Sequence, residues 1–435
     1  MRIRDFLEID FILFFAALIL MIVGILFIYS SGITSEGILI SNEYRRQIVW
    51  AAAGLVIALA IAILNFRRVY DFTIYLYVGT LVLLIYTSIF GRVVHGTRWL
   101  RLGSFGIQAS EFAKITTILF LAWYLDNTKR NQGSFARFIV SCIIVMAPMV
   151  AVLLQPDLGT SLVFIPILLG MTFIAGISLR YIIFLGSTIL LGGILLVLPL
   201  WQTSILHNSI PALMVFSNKR FLTAGCLSMS LIAVIAWFGF ARFHKRYFYW
   251  ICYGAGIFIL SLGISFAAQR VLKEYQIMRL IVFMDPNVDP RGSGWHIIQS
   301  ITAIGSGGAF GKGYLLGTQS HYRFLPEQST DFIFSILSEE WGFLGGILVF
   351  VLFLVINLRL IRIMRITTDF FGLYIVAGLA SMYVFHFLIN VGMTMGIMPI
   401  TGIPLMLVSY GGSSVISAMI GIGLAMSVHV RRYQR

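Results

Sequence analysis

Twelve apolar runs alternate with short polar segments along the chain. They cover about 11–31, 47–65, 72–90, 108–125, 137–155, 158–176, 180–200, 221–240, 247–268, 331–356, 371–391 and 404–428, each near the ~20 residues a helix needs to cross ~30 Å of hydrocarbon. Backbone groups in lipid have no water to bond, so apolar runs of this length predict helices. The expected fold is all-α: a polytopic membrane bundle of about twelve transmembrane helices, forming one domain over 1–435. The first run is read as a retained span, because it is too long for a signal peptide and eleven more follow. One long polar segment, 270–330, separates the ninth and tenth runs. It is expected to be an outer loop with re-entrant or surface helices, without being an independent domain.

Composition agrees with a lipid solvent. Apolar residues make up 59% of the 435 residues and charged ones 11%, against roughly 25% charged in soluble domains. This excludes a cytosolic enzyme, a secreted disulfide scaffold and a disordered chain. The net charge is +14, yet no basic helix stands free of the apolar runs, so nucleic acid is not an expected partner. With a cytoplasmic N-terminus and strict alternation, basic residues crowd into short inner segments. Examples are Arg67 and Arg68, Lys129 and Arg130, Arg242 to Arg246, and Arg359 to Arg365. That pattern obeys the positive-inside rule and places both termini in the cytoplasm. Cys142, Cys226 and Cys252 lie in apolar runs and read as small buried hydrophobes.

Polar residues inside these runs are costly, so each demands a reason. Glu111 and Lys114 fall about 60° apart on one helix face, and read either as a clamp between helices or as the wall of a polar cavity. Asp157, in "QPDLGTS", reads as a helix cap or as a grip on a headgroup or ion. Asp331 opens "DFIFSILSEEWGFLGG". It is expected at the outer membrane face on the first turn of a span, either as a cap or as a general base facing an external cleft. Glu327 is near it in sequence. Glu339 and Glu340 would lie roughly 12–14 Å deeper on a straight helix, and an acidic, internally facing seam is expected there. The stretch Gly305–Gly317 fails as a Walker A loop, with Ser306 and Gly313 at the positions of its first glycine and its Ser/Thr. It remains either a backbone cradle for a phosphate beside Lys312 or a compact turn. Arg279 and Arg323 add outward positive charge. Pro399, Pro404 and several glycines interrupt the last part of the chain. A broken or re-entrant segment is expected there, with Asn390, Ser409 and Tyr410 lining the outer cavity. The histidines show no zinc spacing.

In order, the stretches "GTRWLRLGSFGIQASEFAK", "QPDLGTS", "RLIVFMDPNVDP", "GWHIIQSITAIGSGGAFGKG", "GTQSHYRFLPEQSTDFIFSILSEEWGF", "FLINVGMTMGIMPITGIP" and "VSYGGSS" resemble the shape, elongation, division and sporulation family of bacterial peptidoglycan polymerases. Within it they are most similar to the elongation branch. The resemblance implies an enzyme of the plasma membrane that polymerises lipid II, a lipid-linked disaccharide-pentapeptide, on the outer face. It implies a class B penicillin-binding transpeptidase as partner, with other membrane proteins of the elongation complex possible in the same assembly. The family's essential loop aspartate matches Asp331, its loop tryptophan Trp99, its membrane Glu-x-x-Lys pair Glu111 and Lys114, and its PDLGT aspartate Asp157. Arg98 and Gln319, in the same matching stretches, join the candidates for substrate contact. The chain departs from the family pattern at Ala109, Ser329, Met406 and Leu407. The family commonly has ten spans, so the surplus falls within 181–268.

The expected chemistry is inverting glycosyl transfer. Asp331 would take the proton of the acceptor C4 hydroxyl, and the diphosphate would leave without acid assistance. Outer-loop arginines, Lys312 and a divalent ion, Mg²⁺ or Mn²⁺ with ligands unassigned, are the candidates to balance its charge. Two other function classes share the hydrophobicity and the buried charges: a flippase for the same lipid precursor, and a non-catalytic scaffold.

Overall fold

The computed structural model describes residues 8–94, 97–102, 105–131, 133–201, 219–290 and 292–432. Helices dominate. They are α1 (Phe11–Ser31), α2 (Glu43–Ile63), α3 (Thr73–Phe90), α4 (Ala109–Asn127), α5 (Phe135–Leu153), α6 (Leu158–Ile174), α7 (Leu179–Trp201), α8 (Lys219–Phe243), α9 (Arg246–Val271), α10 (Glu274–Met284), α11 (Ser293–Gly307), α12 (Thr318–His321), α13 (Ile333–Ile366), α14 (Phe370–Thr394) and α15 (Gly412–Val430). Each of the twelve apolar runs has its helix. Among the described residues ten helical segments are long and apolar enough to cross a membrane. The two runs outside that set are α4, which contains Glu111, Lys114 and Asp126, and the 17-residue α6. The chain is a multi-pass integral membrane protein. The termini, 1–7 and 433–435, lie outside the described residues.

One element was not expected. Between α3 and α4 the chain forms a three-stranded antiparallel meander, β1 (Arg92–Val94), β2 (Thr97–Leu102) and β3 (Phe105–Ile107). Arg98 and Trp99 stand on the central strand, opposite Val93 and Arg92. Alternation over so few residues gives too short a signal to separate a strand from a loop.

The chain divides into two compact units, Met1–Ile177 with His296–Arg435, and Ser178–Trp295. In the second, α7 runs parallel to α9: Tyr253 Oη donates to the Arg180 carbonyl at 2.7 Å, and Ser261 Oγ to the Thr188 carbonyl at 3.0 Å. The α8–α9 hairpin turns on His244 and Lys245. This unit contains the helices of the apolar runs 180–200, 221–240 and 247–268.

In the first unit, α2 lies along α15, and α14 packs on α6, α13 and α4. Buried polar groups join helix ends. The Arg137 guanidinium donates to the carbonyls of Ala175 (2.9 Å) and Leu125 (2.7 Å) at the C-terminal ends of α6 and α4, where carbonyls have no helical partner and cations are favoured. Two segments depart from helix inside this unit. Residues 395–411 connect α14 to α15 without helical structure, and most of Ile400–Ser409 is buried. The other departure is at Gly342 in α13, with φ 66° and ψ −158°.

The break in α13 explains the glycine-rich stretch. Chain 307–313 wraps around it. Lys312 N–H donates to the Glu339 carbonyl and Gly313 N–H to the Glu340 carbonyl, both at 3.0 Å. Phe343 N–H donates to the Gly308 carbonyl at 2.9 Å. The carbonyls and amides freed by the break are therefore bonded again, as the interior requires. A Cβ on Gly342 would meet the Gly311 nitrogen at 2.2 Å.

Gly342→Ala is expected to cost about 1–3 kcal/mol, because its backbone region is essentially reserved for glycine. The melting temperature of the purified protein should fall. Gly263→Ala, at a helical glycine with open space around its Cβ position, should leave it unchanged or raise it.

Candidate functional site

Asp331 lies two residues before α13, half-buried, while every residue from Phe332 to Glu340 is buried. It belongs to a tight turn over 327–332. The amides of Thr330, Asp331 and Phe332 all donate to the Glu327 carbonyl, at 3.3, 3.1 and 3.3 Å. Glu327 itself is exposed, with φ 49°, and its carboxylate accepts from Thr330 Oγ1 at 3.2 Å.

Three residues expected to line a cavity hold this turn. Asn390 Nδ2 donates to the Asp331 carbonyl at 3.0 Å and to the Ile403 carbonyl at 2.8 Å. Ser409 Oγ donates to the Thr330 carbonyl at 2.6 Å. Tyr410 contributes its backbone N–H, which donates to the Ser329 carbonyl at 2.8 Å. The carboxylate is thus carried by a turn bonded at three successive carbonyls to α14 and to the non-helical segment.

Glu111 and Lys114 form a fully buried pair, Nζ to Oε1 2.8 Å, with side chains 2% and 0% exposed. Each has a further partner. Lys114 Nζ lies 3.0 Å from His386 Nε2, and Ser417 Oγ donates to Glu111 Oε2 at 3.1 Å. His386 Nδ1 is 3.1 Å from the Pro404 carbonyl. The tautomer that satisfies both contacts carries its proton on Nδ1, so Nε2 accepts from the lysine. His386 and Asn390 are one turn apart on α14, so one helix face touches both the buried pair and the Asp331 turn, ~6 Å apart along the axis.

Asp157 occupies the N-cap of α6. It accepts from Thr160 N–H at 3.0 Å and from Gln108 Nε2 at 2.9 Å, with Ser110 Oγ at 3.5 Å. Burial pushes its carboxyl above the usual carboxylate range, and Thr160 opposes the shift. Gln108 is itself placed by its N–H, which donates to Ser413 Oγ at 3.0 Å. Asp157, Glu111 and the 411–414 corner therefore share one polar interior.

The acidic seam takes a different form. Glu339 and Glu340 are both buried, and both turn to the glycine-rich hairpin. Glu339 Oε1 accepts from Lys312 Nζ and Thr318 N–H at 2.8 Å, and from Gln319 N–H at 3.0 Å. Glu340 accepts from Leu315 N–H at 3.1 Å and from Ser30 Oγ of α1, with His321 Nε2 at 3.6 Å. The Lys312 ammonium and the neighbouring N–H groups are thus committed to α13. Straight-helix phase misplaces these carboxylates because the wrapped loop, invisible to periodicity, supplies their partners. Arg323 is exposed in the left-handed region, with φ 57°. Arg279 lies on α10 of the second unit with its guanidinium 5.6 Å from the Tyr275 ring centre. For Arg98 and Trp99 the backbone alone is described. Among the described residues no group of three or more His, Cys, Asp or Glu has metal-binding geometry.

Sequence reasoning missed Gln47, Gln108, His386 and Ser417. The available signal was a polar side chain in or at the edge of an apolar run, with the i, i+4 spacing of His386 and Asn390 the most readable.

The sequence matches the cell cycle protein family that groups FtsW, RodA and SpoVE over residues 10–207 and 202–434. It is 50% identical over 433 residues to the peptidoglycan glycosyltransferase RodA of Treponema pallidum (strain Nichols), covering 99% of this chain and 100% of that one. It is 32% identical to the peptidoglycan glycosyltransferase MrdB of Escherichia coli (strain K12), over 89% and 86% of the two chains. Among solved structures, a chain of a peptidoglycan synthase complex that coordinates polymerization and crosslinking superposes with a TM-score of 0.68 at 26% identity, covering 98% of this chain and 99% of that one. The rod shape determining protein RodA of Thermus thermophilus gives 0.61 at 24% identity, covering 98% of each, and shows the same fold. With a family model spanning nearly the whole sequence and a half-identical relative of equal extent, the chain belongs to the FtsW, RodA and SpoVE family of polytopic membrane proteins.

Proposed function

We propose that this chain is a peptidoglycan glycosyltransferase that polymerises lipid II into β-1,4 glycan strands at the outer face of the bacterial plasma membrane, with Asp331 as general base. The observation that carries the reading is a half-buried aspartate on a turn whose backbone is fixed at three points, one helical turn along α14 from the buried Glu111–Lys114–His386 cluster. A sugar on a polyprenyl diphosphate already has a good leaving group and lacks an activated nucleophile. Asp331 accepts the proton of the acceptor C4 hydroxyl as that oxygen forms its bond to donor C1 and the diphosphate departs with the electron pair of the broken C1–O bond. One displacement inverts the anomeric centre from α to β. No acid is needed for the leaving group, unlike the paired carboxylates of glycoside hydrolysis. Holding the turn rigid keeps the base within reach of the hydroxyl, where small displacements cost large factors in rate. A divalent ion would arrive with the diphosphate, since Mg²⁺ is commonly held by phosphate oxygens and one or two carboxylates.

The same reading extends to topology and assembly. All twelve apolar helices cross, α4 by pairing Glu111 with Lys114 and α6 by drawing on its polar flanks, and both termini are cytoplasmic. The crosslinking partner is a class B penicillin-binding transpeptidase, supported by the likeness to a chain of a synthase complex that couples polymerization to crosslinking.

Asp331→Asn should abolish glycan polymerisation by purified protein on lipid II, with melting temperature unchanged. Strands made at the native rate would refute the base assignment. The Glu111–Lys114 pair separates clamp from cavity wall. Lys114→Met leaves Glu111 buried without its cation and should destabilise by about 3–5 kcal/mol, whereas Glu111→Gln with Lys114→Met should recover most of that loss. A double variant that regains stability without regaining polymerisation assigns the pair to the reaction, and recovery of both makes it a clamp alone.

A further inference from the structure

Gln47, on the first turns of α2, is 1% exposed and uses both ends of its amide on the same stretch of chain. Its Nε2 donates to the Ser409 carbonyl at 3.1 Å, and its Oε1 accepts from Gly411 N–H at 3.2 Å. The two residues it grips flank Tyr410, whose N–H donates to the Ser329 carbonyl, while Ser409 Oγ donates to the Thr330 carbonyl. Ser409 Oγ also accepts from Leu405 N–H at 2.9 Å, which fixes the hydroxyl's direction. One turn further along α2, Trp50 closes on the next residue: a Cβ on Gly412 would meet the indole at 2.6 Å. A single face of α2 therefore pins residues 409–412 from behind, and 409–410 in turn hold the two carbonyls immediately before Asp331.

We propose that Gln47 is a positioning residue for Asp331, acting through the 409–411 strap on the turn that carries the carboxylate. The proposal rests on the general-base reading of Asp331. A buried primary amide suits the role because it is neutral, offers a donor and an acceptor in one plane, and loses both together when replaced by an apolar side chain of similar length. Local backbone bonds at 409–411 are two, Ser409 N–H to the Leu405 carbonyl at 2.9 Å and Val415 N–H to the Gly411 carbonyl at 3.0 Å. The other bonds there run to Gln47, to Leu405 N–H and to the 329–330 carbonyls. Gln47 supplies the two side-chain bonds that fix this strap from α2, and through it they bear on the turn.

The test is a cycle of variants, Gln47→Met, Ser409→Ala and the two combined, with polymerisation of lipid II measured per folded protein and resolved into kcat and KM. Each single variant should lower kcat on the order of tenfold to a hundredfold and leave KM within about twofold. The double variant should be no slower than the worse single one, because both substitutions cut the same path. Should Gln47→Met fold poorly, Ser409→Ala against Ser409→Thr supplies the same split, the hydroxyl of threonine restoring kcat. Native kcat in Gln47→Met, losses that multiply in the double variant, or a rise in KM at constant kcat would each overturn the proposal. Asp331→Asn measured alongside keeps the two readings apart. If it is inactive while Gln47→Met is fully active, the base stands and the positioning role falls; if it is active, the base reading itself falls.

Discussion

A non-helical segment buried inside a membrane bundle must have its backbone polar groups satisfied by protein, because lipid satisfies none of them. Residues 395–411 are such a segment, and the arrangement of the candidate site follows from how that requirement is met. The bonds come from side chains on two helices and from within the segment. Asn390 and His386 of α14 take the carbonyls of Ile403 and Pro404. Gln47 of α2 takes Ser409 and Gly411. Ser409 closes a local loop on Leu405 and reaches outward to Thr330. Asn390 bonds the segment and the turn that bears Asp331 directly, and Gln47 fixes the stretch from which Ser409 and Tyr410 reach that turn.

The same logic governs the second departure from helix. At Gly342 the ladder of α13 opens, and the glycine-rich stretch closes it again from outside. Glu339 and Glu340 then anchor the return of the hairpin through Lys312, Thr318, Leu315 and Ser30. Fully bonded, these carboxylates hold 308–321 against α1 and α13. The chain then runs only a few residues from His321 to the Glu327 turn. The Asp331 turn is therefore constrained from its N-terminal side by the hairpin, and on its flank by α14 and the 409–411 strap.

Much of this was legible in sequence, for physical reasons that also mark where legibility stops. Apolar length located the ten helices that are long and apolar enough to cross a membrane among the described residues, because hydrocarbon thickness fixes that length, and it marked α4 and α6 as helices beside them. Cost in lipid singled out Glu111, Lys114, Asp157 and Asn390. Prolines and glycines marked the break after α14. Contacts between segments distant along the chain were not legible. Gln47 and Gly411, or Gly311 and Gly342, carry no local signal of their pairing. Helical phase could not foresee that Glu339 and Glu340 serve one hairpin, since Gly342 interrupts the helix just beyond them. The meander at 92–107 was too short for alternation to betray it, and the glycines of 305–317 suited a phosphate cradle and a wrapped loop equally until their amide partners were seen.

The central claim is that side chains of α2 and α14 hold 395–411 as firmly as a helix holds its own backbone, so that the Asp331 turn has one position. Amide hydrogen exchange of the protein in lipid nanodiscs measures this directly. The account predicts that the amides of Leu405, Tyr410 and Gly411 exchange as slowly as those of α14. Exchange as fast as in the exposed turn over 34–38 would show the segment opening freely, and would contradict it.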